Sequence, residues 1–248
     1  MNRKILSFLF LAGLVSVSFF ACKKKTDTPL PNDSGSAYYP LRVGKFIIYN
    51  VDSTIWNDFD CSKVVHSYQM RYDFVDTFLD NSGNKSYRVE TSIRTADTLP
   101  WNPSNVFYAT IAGNQIQTVE SNLRFIKLVL PVTEGTSWNG NSMIQTNDQD
   151  LGYFSGWNYT YANVGKPYIR DTFNFDNTVT VNEADMATND PETMPTAYAD
   201  KTYSQEVYEY NVGLVYKELT HWTYNYNPGG STNCRKGYSV IMRAISNN

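Results

Sequence analysis

The chain has 248 residues, and 21 Lys and Arg against 24 Asp and Glu give a formal net charge of −3, which excludes the basic profile of a nucleic-acid-binding domain. Hydrophobic residues at 42% and charged residues at 18% exclude a disordered or collagen-like chain and fit a globular domain. The 15% aromatic content, rich in tyrosine, together with abundant Asn, Thr and Ser, favours strands and turns over helices.

Arg3 and Lys4 precede an apolar run from Ile5 to Ala21, which reads as a secretory signal. Its end, Phe19-Phe20-Ala21-Cys22, resembles the lipobox of bacterial lipoproteins, in which the cysteine is acylated and becomes the first residue of the mature chain. Phe19 and Phe20 stand where Leu and a small residue are usual. Residues 1–21 are therefore expected to be a lipoprotein signal peptide and Cys22 the lipidation site, with membrane attachment through several acyl chains. Residues 22–37 have almost no apolar content and read as a flexible linker. Its Lys23, Lys24 and Lys25 would be drawn to anionic headgroups by about 1 kcal/mol each. Beyond this linker 16 basic residues face 22 acidic ones, so the domain itself is mildly acidic.

From residue 38 onward, alternation replaces any helical stripe. A strand is expected over 45–52. From His66 to Phe74, Tyr68, Met70, Tyr72 and Phe74 share one face; after the turn-forming Asp80-Asn81-Ser82-Gly83-Asn84, Tyr87, Val89, Thr91 and Ile93 share another, giving a hairpin with one wet side. Further strands are expected over 106–111, 115–120, 123–130, 157–163, 168–175, 178–182, 214–224 and 237–246. Residues 203–211 suit a short helix closed by Gly213, and 183–200, polar with two prolines, read as a long exposed loop. The fold class is all-β: one domain over 38–248, a strongly curved antiparallel sheet or open barrel of about 10–12 strands with at most one or two short helices. An outer-membrane barrel is excluded because several segments fall short of the roughly 9–11 residues a spanning strand needs.

In an oxidising envelope, Cys61 and Cys234 are expected to form a disulfide. A metal site combining them with His66 and His221 is disfavoured, because residues five apart on a strand face opposite ways. A bridge just before the second and last strands requires the first strand to lie between them, antiparallel to both.

The opening Tyr38-Tyr39-Pro40-Leu41-Arg42-Val43-Gly44-Lys45-Phe46-Ile47-Ile48-Tyr49, then Asn122-Leu123-Arg124-Phe125-Ile126-Lys127-Leu128, Trp138-Asn139-Gly140-Asn141, and Val212-Gly213-Leu214-Val215-Tyr216-Lys217-Glu218 together resemble a group of lipoproteins from Bacteroidota. The resemblance implies a single-domain envelope protein and transfers no catalytic residue. In such lipoproteins acidic residues soon after the cysteine accompany export to the cell surface. Lysines come first here, so the expected location is the outer membrane, lipid-anchored, on its periplasmic face.

No phosphate loop, serine elbow, HExxH or CxxC occurs, and neither Asp58 with Asp60 nor Asp148 with Asp150 has the context of a carboxylate pair. The acidic stretch from Asn182 to Glu192 lacks the spacing of a calcium loop. No catalytic residue, metal or cofactor is assigned. Trp138, Trp157, Tyr159 and Tyr161 are the candidate ligand-lining residues, as core lining or as a platform for an apolar or glycan ligand. The leading reading is a lipid-anchored cell-envelope protein acting as a non-enzymatic binding or assembly module. The alternatives are a glycan-binding accessory protein of a surface uptake system, with exposed aromatics, and a glycoside hydrolase, with two facing carboxylates.

Overall fold

The computed structural model describes residues 34–148, 150–226 and 234–248; the expected signal peptide, the expected lipidation site Cys22 and most of the expected linker lie outside these residues. Among the described residues, twelve antiparallel strands make one sheet, accompanied by two short 3-10 turns, Ser36–Tyr38 and Gly152–Phe154. The first half comprises β1 (Phe46–Trp56), β2 (Lys63–Leu79), β3 (Lys85–Arg94), β4 (Asn102–Ala112), β5 (Gln115–Glu120) and β6 (Leu123–Val129). The second comprises β7 (Ser137–Trp138), β8 (Tyr159–Arg170), β9 (Phe173–Thr188), β10 (Ala199–Glu209), β11 (Gly213–Tyr224) and β12 (Arg235–Asn247). Their spatial order is β6-β5-β4-β3-β2-β1-β12-β11-β10-β9-β8-β7.

The two sheet edges meet in a seam that nearly closes the barrel. Ile126 N of β6 donates to Gly140 O at 2.8 Å, and the Trp138 indole donates to Ile126 O at 2.8 Å. The Tyr161 hydroxyl donates to Val129 O at 2.9 Å and accepts from Val129 N at 2.8 Å. Side chains thus supply part of the pairing that edge backbone groups would otherwise lack.

Alternation decides which residues face inward. Tyr68, Met70 and Tyr72 stand opposite Val51, Tyr49 and Ile47, and Phe74 stands opposite Val89. This is the hairpin face read from the sequence. The Asp80 carboxylate accepts from Ser82 N at 2.9 Å and Asn84 N at 2.8 Å, with Gly83 at positive φ. β1 lies between β2 and β12, antiparallel to both, and the bonded Cys61 and Cys234 have Cα atoms 5.3 Å apart.

Four expectations need correction. Residues 203–211 are not a helix but mostly β10, because Ser204, Glu206 and Tyr208 recur with period two on one buried face. The long loop over 183–200 shrinks to 189–198: β9 continues to Thr188 with Glu183 inward, following Val179 and Val181 in the same alternation. The strand expected over 168–175 is a hairpin, split by Asp171 at positive φ between β8 and β9. The linker boundary at residue 37 also moves back, since Ser34 is buried and its carbonyl accepts from Val132 N at 2.9 Å.

One end of the barrel is stoppered by this incoming segment. Asn211 N donates to Ala37 O at 2.8 Å, Tyr38 packs edge-on to Tyr210 and Tyr39 packs against Tyr208. The Lys45 ammonium donates to the carbonyls of Pro40 and Val212. Gly213, at φ +101, passes so close that an added Cβ would lie 3.0 Å from Lys45 Nζ. The Tyr38 and Val212 segments, far apart in sequence, therefore meet at this end.

Candidate functional site

Inside the barrel, four charged side chains converge. In the pairing of β5 with β6, Ile116 faces Leu128 and Gln117 faces Ile126, so Lys127 is a bulge residue. In the pairing of β9 with β10, Ser204 faces Ala184 and Gln205 faces Asn182, so Glu183 is another. At each bulge two successive residues face the core, Lys127 with Leu128 and Glu183 with Ala184. Glu206 and Lys217 arrive by ordinary alternation and face each other across β10 and β11.

Lys127 Nζ lies 2.8 Å from Glu206 Oε1 and 3.4 Å from Glu183 Oε1, and Lys217 Nζ lies 3.0 Å from Glu206 Oε1. Tyr208 OH donates to Glu206 Oε2, and Ser204 Oγ donates to Glu183 Oε2 at 2.5 Å. Burial pushes the Glu206 carboxyl up, but Lys127 and Lys217 outweigh it and hold the group well below the usual range. Glu183 goes the other way. Burial, and then the Glu206 charge, raise it to about 7, because Lys127 sits closer to Glu206. Burial alone would lower Lys127, yet the Glu183 and Glu206 carboxylates keep it well above its ordinary value.

A cavity of about 250 Å³ opens beside this cluster. Leu123, Phe125, Phe154, Trp157 and Leu219 contribute its apolar wall. Lys127, Glu183, Ser204 and Lys217 form its inner polar part, and Glu120 and Ser121 border it at the turn between β5 and β6. It lies where β5 passes into β6 and β8 begins, the end opposite the Val132 and Ser34 contact.

The four candidate aromatics divide. Trp157 and Tyr159 border the cavity and are buried, whereas Trp138 and Tyr161 hold the seam. The Trp157 indole donates to Tyr153 O at 2.7 Å, and Tyr159 OH donates to Asn141 Oδ1 at 3.0 Å. His221 accepts or donates at 2.9 Å to Thr202 Oγ1 and stacks on Tyr153, while His66 is exposed on β2. Neither Asp58 and Asp60 nor Asp148 and Asp150 border the cavity.

Sequence reasoning missed Lys127, Glu183, Glu206 and Lys217. The signal was present: Phe125 and Lys127, Val181 and Glu183, and Val215, Lys217 and Leu219 share parity with the buried face. A larger groove of about 540 Å³ lies on the outside along β1, β2 and β12, but its polar groups largely satisfy one another. There Asp52 accepts from Ser67 at 2.7 Å and from Arg243 at 2.8 Å, and Gln69 donates to Asn50 at 3.2 Å.

No family model matches the chain, and no curated protein matches it. Among solved structures, one from Bacteroides fragilis NCTC 9343, provisionally described as an exported protein with a YmcC-like fold, is similar over 84% of this chain and 98% of its own, at 13% identity and a TM-score of 0.36. At that score the likeness carries no inference about function.

Proposed function

We propose that the protein is a lipid-anchored envelope protein, held at the periplasmic face of the outer membrane through Cys22, whose barrel is a non-enzymatic binding module for a small, largely apolar ligand. The observation that carries this reading is the cavity, with Trp157 and Phe154 on its wall and charged groups at one side. Its volume of about 250 Å³ falls just below the roughly 300–1,000 Å³ of drug-sized sites, which favours a small ligand over a whole phospholipid or an oligosaccharide. The chain enters the barrel at the end opposite the cavity, so an anchor at Cys22 attaches on the far side from the cavity mouth. Twelve residue steps separate Cys22 from Ser34, a reach of at most about 40 Å.

The glycan-accessory alternative calls for aromatics on an outer surface, and Trp157, Tyr159 and Tyr161 are buried. A glycoside hydrolase requires two carboxylates free on a cleft wall. The two carboxylates on the cavity wall are Glu120 and Glu183, and Glu183 is not free: Lys127 engages one of its oxygens and Ser204 the other.

The test is titration of the chain from residue 23 onward, which retains every described residue, with octanol while tryptophan emission is followed. Saturable binding at one site, weakened in a folded Trp157→Phe variant, is expected. A folded protein that binds no octanol saturably would remove the ligand-binding reading. Independently, intact-mass analysis of the membrane-bound form should show an acylated chain beginning at Cys22, and any other start would remove the anchor.

A further inference from the structure

Lys217 is the less occupied of the two lysines on the cavity wall. Its ammonium pairs with Glu206 Oε1 at 3.0 Å, has no further partner among the described residues, and keeps 18% of its side chain accessible. Glu183, by contrast, has both oxygens engaged, Oε1 by Lys127 and Oε2 by Ser204. An ammonium carries three donors. Spare donors beside an apolar wall match a ligand with an anionic acceptor at one end of an apolar body.

We propose that the cavity receives a small amphiphile bearing a single carboxylate, its head on Lys217 and its tail against Leu123, Phe154 and Trp157. This deepens the small-ligand reading above and rests on it. The cluster also accounts for the incoming charge. With Lys127, Lys217, Glu183 and Glu206 all ionised these four groups are neutral together, Glu120 at the cavity mouth adds a negative charge, and a bound carboxylate would add a further uncompensated one in a buried place. Glu183 offsets it by taking up a proton, which its raised pKa of about 7 makes accessible near neutrality. Glu183 is faced by Lys127 of β6, Glu206 and Ser204 of β10, Lys217 of β11 and Tyr159 of β8, with Glu120 of β5 at the same cavity. The two lysines are held above their ordinary value by the carboxylates despite burial, and burial keeps Tyr159 protonated.

The test is calorimetric titration of the chain from residue 23 onward with octanoate, octanol and octylammonium, at about pH 6 and about pH 8 on either side of the Glu183 value. Octanoate should bind about ten- to a hundredfold tighter than octanol, the usual worth of a charge-assisted contact. Its binding should take up a proton and weaken at the higher pH, while octanol binding stays constant. Lys217→Met should erase the octanoate advantage and spare octanol, and Glu183→Gln should make octanoate binding independent of pH. Octanol binding as tightly as octanoate, or octylammonium binding tighter, would overturn the carboxylate assignment and leave the ligand-binding reading standing. Binding of none of the three would overturn both. The headgroup comparison uses the unsubstituted chain, so a variant that fails to fold does not protect the proposal.

Discussion

Glu183 and Glu206 touch the same Lys127 ammonium, and replacing each with Gln is expected to give opposite results. Glu206→Gln removes the carboxylate that holds Lys127 at 2.8 Å and Lys217 at 3.0 Å, leaving Lys217 without its ion pair in the barrel interior. Breaking a buried pair from one side costs about 3–5 kcal/mol. That is a large share of the roughly 5–15 kcal/mol that stabilises a typical domain. Glu183 is instead raised from 4.5 to about 7. At ~1.4 kcal/mol per pH decade, ionising it in the fold is about 3 kcal/mol harder than in the unfolded chain. Because its folded value is the higher one, this contribution is fully present below about pH 4.5 and is lost as pH rises through about 7. Glu183→Gln, which mimics the protonated acid, should therefore come within about 1 kcal/mol of the parent at about pH 5 and exceed it by up to about 3 kcal/mol at about pH 8. Urea unfolding followed by tryptophan fluorescence at those two pH values measures both variants. Equal losses in the two, or a Glu183→Gln difference that does not change with pH, would refute the assignment of charge within the cluster.

Replacing both Cys61 and Cys234 with Ser opens a loop with a sequence separation of 173, which the chain-entropy model values at about 5 kcal/mol. The urea midpoint of the double variant should fall accordingly, and an unchanged midpoint would count against a stabilising bridge. Gly140→Ala would place a Cβ 2.4 Å from the Tyr159 ring, whose hydroxyl is fixed on Asn141. Overpacking at the seam should cost at least about 1–3 kcal/mol and speed hydrogen exchange of the Ile126 amide, which Gly140 O accepts.

What was legible in the sequence follows from how far each interaction reaches. The β2–β3 hairpin was readable because its alternation and turn chemistry are local, and the place of β1 was readable because two cysteines constrain it. The interior charges were not. Period two already put Glu183 with Val179 and Val181, and Lys127 with Phe125, but an isolated acid or lysine reads as solvent-facing unless its partner is known. The partners of Lys127 lie 56 and 79 residues away. The bulges at Lys127 and Glu183, which let Leu128 and Ala184 pack inward beside them, are properties of a strand pair that neither strand's own residues encode. Trp138 and Tyr161 likewise looked like candidates for one ligand face, because the seam they close joins edges absent from local pattern.

The strand order gives the barrel an unusual division of labour in time. Every neighbouring pair of strands is consecutive in sequence except β1 with β12. The strands β1 to β6 and β7 to β12 are therefore two local meanders, each able to form without waiting for the other. Joining them requires contacts such as Asp52 with Arg243, 191 residues apart, after a large loss of chain entropy. A circular permutant opened between β6 and β7 and rejoined from β12 to β1 would turn that junction into an ordinary hairpin and become an uninterrupted up-and-down meander. The native order instead leaves this zipping as the late, high-contact-order step. The Cys61–Cys234 bond sits at that junction, so once formed it shortens the effective loop and lets the two halves find each other again after partial unfolding.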